Sequence, residues 1–113
     1  MNDIVFELKT RLTNNQERQA DLSSKIEELP KGHINTLYRN NKGYYYLTYR
    51  QGKMVKNEYL GPEEKTNLNE IIDNLNRRKI YIDELKELKK EEKTLKKIIG
   101  RAKWKQTELI KIY

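Results

Sequence analysis

A tyrosine- and glycine-rich stretch at residues 29–61 constrains the fold of this chain more than any other segment. It holds six of the eight tyrosines and four of the five glycines, and the sequence on either side is charged and helix-like. Aromatic and β-branched residues favour strands, and short loops with Asn or Gly between them favour hairpins. The stretch therefore predicts three strands at 33–39, 44–50 and 54–60, joined as an antiparallel meander.

Alternate residues of a strand point to opposite sides of its sheet, so counting by twos predicts two faces. This count takes residues 40–43 as the first loop. We expect the more apolar face to pack against a helix; its members are Leu37, Tyr45, Leu47, Tyr49, Val55 and Tyr59. We expect the other face to be a surface; its members are Ile34, Thr36, Tyr38, Tyr44, Tyr46, Thr48, Arg50, Met54, Lys56 and Glu58. A register slip of one residue would exchange these roles.

Residues 2–28 carry a narrow apolar stripe at spacings of three and four, which predicts a helix with a coiled-coil seam. Pro30 should end this helix at Glu28 or Leu29. Asn15 and Gln19 interrupt the seam, and polar residues at such positions fix the register of coiled coils at a cost in stability.

A similar stripe at residues 62–99 predicts a second and longer helix. The last apolar members of this stripe are Leu95 and Ile98. Pro62 followed by Glu63 and Glu64 is typical of a helix start. Gly100 is where we expect the helix to kink or end, and residues 101–112 are again helix-like.

These elements predict an α+β fold with an N-terminal helix at 1–29, a meander at 30–61 and a long C-terminal helix with a basic tail at 62–113. We expect one structural unit, with the helices paired as an antiparallel coiled coil because each apolar stripe needs a partner. The simplest pairing uses the first 27 or so residues of the second helix. The tail from about Lys89 would then protrude, fold back, or pair with a second copy in a homodimer.

Composition argues against several functional classes. The chain has no cysteine and only one histidine, His33, and it lacks a phosphate-binding glycine loop, so we expect no enzyme activity, no metal site and no cofactor. No apolar run approaches the roughly 20 residues of a membrane span, and no signal-peptide core is present, so we expect a cytoplasmic location.

Positive charge is concentrated in two regions. The net charge of the chain is +7, with a surplus at residues 30–61 and another at residues 85–113. Arg and Lys neutralise phosphates, and aromatic rings stack on bases, so these regions predict nucleic-acid contacts. The candidate binding residues are Arg39, Lys42, Tyr44, Tyr46, Arg50, Lys53, Lys56, Lys96, Lys97, Arg101 and Lys103. Two structural alternatives stay open: tyrosines can simply bury area in a thin sheet, and Lys–Glu pairs can simply solvate a helix.

The segment LPKGHINTLYRNNKGYYYLTYRQGKMVKNEYLG resembles a family of small uncharacterised prokaryotic and phage proteins. Their pattern is close to LPKGSI followed by a YYYLxYRxGKxVKxxYLG hairpin, from which His33 departs. The hairpin is also similar to YRxGKxK segments near the N-termini of some transposases and phage integrases. That likeness implies, by analogy, a small sheet that contacts DNA.

We therefore expect a non-enzymatic nucleic-acid-binding protein of a phage or mobile element, with DNA a better fit than RNA. The alternative is a coiled-coil protein-interaction module, for example an inhibitor of a nucleic-acid-guided host defence complex.

Overall fold

The computed structural model describes the backbone of residues 4–112 and the side chains of residues 4–102. Two helices flank a three-stranded antiparallel sheet in the chain, which confirms the expected α+β architecture. The elements are α1 (Ile4–Glu28), β1 (His33–Arg39), β2 (Lys42–Gln51), β3 (Met54–Pro62) and α2 (Asn69–Ile112). None of the helices in the described part of the chain is both long and apolar enough to cross a membrane.

The described chain divides into two compact units. The helical unit combines α1 up to Ile26 with α2 from Tyr81 onward. The sheet unit spans Glu27–Ile80 and so holds all three strands and the first turns of α2. The two basic regions of the sequence consequently belong to different units.

In the helical unit, α1 and α2 run antiparallel. Gln16 of α1 donates to the carboxylate of Glu92 of α2 at 3.1 Å. Arg18, further along α1, forms an ion pair at 3.0 Å with Glu84, which lies about two turns earlier on α2. The α1 positions facing the seam alternate at spacings of three and four, as a coiled coil requires. They are buried or half-buried: Val5, Leu8, Leu12, Asn15, Gln19, Leu22 and Ile26.

The pairing register differs from the expected one. The side-chain amide of Asn15, which is buried, donates to the backbone carbonyl of Leu88 at 2.9 Å, so α1 lies along the part of α2 that begins near Tyr81. The expectation that α1 covers the first 27 residues after Gly61 is wrong, as is the expectation that the chain beyond Lys89 lacks an intramolecular partner. Apolar periodicity finds a seam but does not say which turns face each other.

The second helix also departs from the expectation in its bounds and its seam. It begins at Asn69 rather than at Pro62, and it continues through Gly100 to Ile112 without a fold-back. Near its end the buried position is Ile99, at 7% exposure, whereas the predicted Ile98 is 42% exposed. The step of four residues from Leu95 keeps the stripe on one side of the helix.

Pro62 ends β3 instead of starting a helix. The backbone N–H of Glu63 donates to the carbonyl of Gly43 at 2.9 Å, which ties the chain to the sheet beyond the last strand pair. The helix starts further on, at Leu68, whose carbonyl accepts the first helical bond from the N–H of Ile72. One residue earlier, the side-chain oxygen of Asn67 accepts from the N–H of Asn69 at 2.9 Å. This Asx turn satisfies one of the free N–H groups of the first helical turn and supplies a start signal that the proline does not.

Both hairpins close with two-residue turns. Asn40 and Asn41 have positive φ, 51° and 65°, which is the backbone of a type I′ turn and is tolerated by Asn. In the second turn, Gly52 has φ 62° and Lys53 follows, as in a type II′ turn. The register is therefore fixed on both sides of β2, with Arg39 paired to Lys42 and Gln51 to Met54.

The strand pairing that these turns set overturns part of the face assignment. Residues that flank a two-residue turn differ by three in number, so an odd residue of one strand lies opposite an even residue of the next. Leu37 is paired with Tyr44, and Val55 with Arg50, so both lie on the face predicted to be the surface. The division of β2 itself is confirmed: Leu47 is 3% exposed and is the buried side chain of this strand.

Gly32, at the entrance to β1, has φ 108°, a conformation that other residues rarely adopt. A Cβ atom on Gly32 would collide with the backbone carbonyl oxygen of Thr48. The glycine of the LPKG sequence is thus required by the close approach of two backbones at the first pair of the β1–β2 ladder.

Candidate nucleic-acid interface

We call the side of the sheet away from Leu47 the open face. Nine of its thirteen side chains are exposed, and three of the four half-buried ones, Tyr44, Tyr46 and Thr48, lie on the central strand β2; the fourth is Pro62. The pairing places these residues on it: His33, Asn35, Leu37, Arg39, Lys42, Tyr44, Tyr46, Thr48, Arg50, Val55, Asn57, Tyr59 and Pro62.

Three tyrosine rings cluster on the open face. The ring of Tyr59 lies 5.3 Å from the ring of Tyr46 and 6.5 Å from that of Tyr44, centroid to centroid, at tilts of 52° and 46°. Such tilted contacts are favoured between aromatic rings and hold each ring in place. Tyr59 is nevertheless 54% exposed, so the cluster offers ring surface to a ligand.

The charges on the open face have a single sign. Arg39 and Lys42 flank the first turn, Arg50 lies near the second, and all three side chains are exposed. No Asp or Glu is among the thirteen residues of this face. The combination of rings and unopposed cations suits a polyanion that also presents flat apolar groups.

A row of hydrogen bonds crosses the three strands beside the rings. The amide nitrogen of Asn35 donates to the Thr48 hydroxyl at 2.6 Å, and that hydroxyl donates to the side-chain oxygen of Asn57 at 2.7 Å. The Asn35 amide also lies 3.3 Å from Nε2 of His33. Above this polar row is an open cavity of about 420 Å³, which Leu37 and Tyr46 also line.

The remaining basic residues predicted for the sheet are not all on this face. Lys53 lies in the second turn and is exposed. Lys56 is paired with Tyr49 and so lies on the Leu47 side, together with Glu58. The expectation that Lys56 shares a face with Arg50 is therefore wrong, for the reason of turn length given above.

The predicted residues of the C-terminal region lie on α2 in the helical unit. Lys97 and Arg101 are exposed, and Lys96 lies 3.9 Å from the carboxylate of Glu92. The side chain of Lys103 falls outside the described residues. These residues were grouped with those of the sheet as nucleic-acid contacts only because both regions are basic. In the structure the two groups belong to different units.

Sequence reasoning missed Tyr59 and both asparagines of the polar row. Tyr59 was assigned to the apolar face, although it is the central ring of the cluster. For Tyr59 and Asn57 the available signal was Gly52, which favours a two-residue turn of Gly52 and Lys53 and so sets the parity of β3 relative to β2. Reading each loop as two residues would have placed Asn35 and Tyr59 opposite Tyr46, and Asn57 opposite Thr48.

Among the described residues, no three His, Cys, Asp or Glu side chains lie close enough together to hold a metal ion.

No curated protein matches the chain significantly. The same holds for solved structures. Residues 9–70, which run from the first turns of α1 through the whole sheet to the start of α2, match the DUF6788 family, described as a domain of unknown function. Because the match covers more than half of its length, the chain belongs to the DUF6788 family.

Proposed function

We propose that this protein binds nucleic acid through the open face of its sheet, without enzymatic activity of its own. The observation that carries the proposal is the cluster of Tyr44, Tyr46 and Tyr59 among cations on a face that has no carboxylate. Action in a phage or mobile element, in the manner of the transposase and integrase segments that the hairpin resembles, is part of the proposal.

The open face would contact both the phosphates and the bases of a nucleic acid. Arg39, Lys42 and Arg50 would contact phosphates, which supply most sequence-independent affinity. The rings of the cluster, of which Tyr59 is the most exposed, would contact bases, since stacking contributes about 1–3 kcal/mol for each base. Lys53, at the tip of the second turn, would extend the basic rim. The basic end of α2, with Lys96, Lys97, Arg101 and Lys103, is a separate candidate contact.

A matched pair of variants tests the proposal. Arg50→Ala removes a cation from the open face, and Lys56→Ala removes one from the opposite side of the sheet; both side chains are exposed. Binding of mixed-sequence DNA and RNA is measured at several salt concentrations. We expect Arg50→Ala to weaken binding and to reduce the slope of log affinity against log salt by about 0.7–0.9. Lys56→Ala should leave both quantities unchanged.

A second candidate function is protein binding by the paired helices, as in a coiled-coil interaction module that inhibits a host defence complex. The observation that favours it is apolar exposure in the helical unit, where Ile4, Phe6 and Ile98 are 66%, 69% and 42% exposed. Such side chains suit a protein surface better than a phosphate backbone. This candidate would replace the first if neither DNA nor RNA binds the parent protein with an affinity that falls with salt.

A further inference from the structure

The cavity above the polar row suggests a more specific ligand. We propose that it takes one unpaired nucleobase, so that the open face selects single-stranded nucleic acid over duplex. This inference rests on the proposed function and deepens it, because it assigns the base-binding role to Asn35, Thr48 and Asn57 rather than to the cations.

The polar row leaves hydrogen-bonding groups for a ligand. Thr48 uses its hydroxyl to bridge the two asparagines, donating to the Asn57 oxygen and accepting from the Asn35 nitrogen. The amide nitrogen of Asn57 and the side-chain oxygen of Asn35 have no hydrogen-bond partner among the described residues. The row thus holds a donor and an acceptor on either side of a fixed hydroxyl, which is the kind of pattern that the edge of a base presents.

The size and walls of the cavity fit a base. Its volume of about 420 Å³ lies within the range of small-molecule sites, and it opens to solvent on the exposed side of the sheet. Tyr46 lies at one wall and Leu37 at another, so a flat ring would have apolar contacts beside the polar floor. The ring of Tyr59, 5.3 Å from that of Tyr46, would meet the neighbouring base.

A duplex cannot use this arrangement. In a double helix both faces of each base are covered by its neighbours, and the pairing edge is occupied by the complementary strand. Stacking on tyrosine rings and insertion of a base edge into a concave site both require that the base is splayed out of the helix. A duplex would therefore reach the cations of the open face without filling the cavity.

The test uses three probes with the full-length protein. They are a mixed-sequence single-stranded DNA of about 12 nucleotides, which is within the site sizes of single-strand binding folds, the corresponding duplex, and the same strand with abasic positions at its centre. The abasic strand keeps every phosphate and loses only bases. We expect the abasic strand to bind about 5- to 150-fold more weakly than the intact strand. The duplex should also bind more weakly than the intact strand.

Two pairs of variants locate the effect. Tyr46→Leu removes a ring at the cavity, and Tyr38→Leu removes an exposed ring from the other side of the sheet. Asn57→Ala removes the outer donor, and Asn76→Ala is its control, an exposed asparagine on α2. Circular dichroism and the thermal midpoint verify that each variant folds. The first member of each pair should weaken single-strand binding and leave duplex binding unchanged, whereas the controls should change neither.

The outcomes separate this inference from the proposed function. If the duplex binds as tightly as the single strand, or the abasic strand as tightly as the intact one, the base site is refuted while salt-dependent binding by the cations stands. The inference is also refuted if the Tyr46 and Asn57 variants bind the single strand as the parent does. If no probe binds with salt-dependent affinity, the proposed function fails, and the base site fails with it.

Discussion

Replacing Leu47 with Ala is the sharpest test of how the sheet is oriented, because the candidate interface exists only if Leu47 points away from it. The side chain is 3% exposed. Truncation of a fully buried Leu to Ala costs about 2–5 kcal/mol, from lost burial and from the cavity that remains. Val55, on the open face, is 59% exposed, so less than half of its side chain is withdrawn from water. We expect Val55→Ala to cost less than about 1 kcal/mol.

Two measurements are needed, because a chain with two compact units can unfold in more than one step. Urea unfolding followed by circular dichroism gives the free energy of unfolding, and amide hydrogen exchange reports whether the loss of protection falls on the strands. The prediction is a large loss for Leu47→Ala, concentrated in β1–β3, and a small one for Val55→Ala. Equal losses of stability, or a larger loss for Val55→Ala, would mean that Leu47 lies on the exposed face of the sheet and that the open-face cations Arg39, Lys42 and Arg50 are not at a surface.

Three further predictions concern the framework around the interface. Gly32→Ala should cost at least about 1–3 kcal/mol from its positive φ alone, and more from the collision with the Thr48 carbonyl, measured by urea unfolding. Asn15→Leu should raise the free energy of unfolding by about 1 kcal/mol, because burial of a Leu side chain stabilises the helix pair more than the lost hydrogen bonds do. Because the buried Asn no longer fixes the register, light scattering of this variant should show more than one association state. Hydrogen bonding from Gln16 lowers the pKa of Glu92, so Glu92 contributes stability above the ordinary glutamate pKa that is lost as pH falls through the lowered value. In Gln16→Ala the Glu92 pKa, followed by NMR, should move up toward its ordinary value; an unchanged titration would contradict this assignment.

The sequence predicted the elements well because each carries its own local signal. The seam of α1 follows from strict alternation of apolar spacings, including Asn15 and Gln19 at seam positions, and Pro30 marks its end near Glu28. Strand existence follows from aromatic and β-branched runs between turn residues, as at Tyr44 and Leu47. These signals need only neighbours within one or two turns of chain.

What the sequence could not supply was relative register. The start of α2 was misplaced because Pro62 is as compatible with the end of an outer strand as with a helix start, and the side-chain turn of Asn67 marks the actual start. The helix pairing was misplaced because a stripe is compatible with several offsets, and a specific bond from Asn15 to Leu88 decides among them. The same kind of error, one residue in loop length, hid Tyr59 from the candidate site.

Residue-level photo-crosslinking shows directly whether bound nucleic acid lies against the open face, as we propose. The sheet has tyrosines on both sides: Tyr44, Tyr46 and Tyr59 on the open face, and Tyr38, Tyr45 and Tyr49 on the other.

Ultraviolet crosslinking of the parent protein to a bound oligonucleotide, followed by fragmentation mass spectrometry, identifies which of these rings contact bases. Tyr38 is the internal control, since it is 68% exposed and only its side of the sheet differs. We expect adducts on Tyr59 and Tyr46 and none on Tyr38. Adducts on Tyr38, or adducts confined to the C-terminal helix, would contradict binding at the open face.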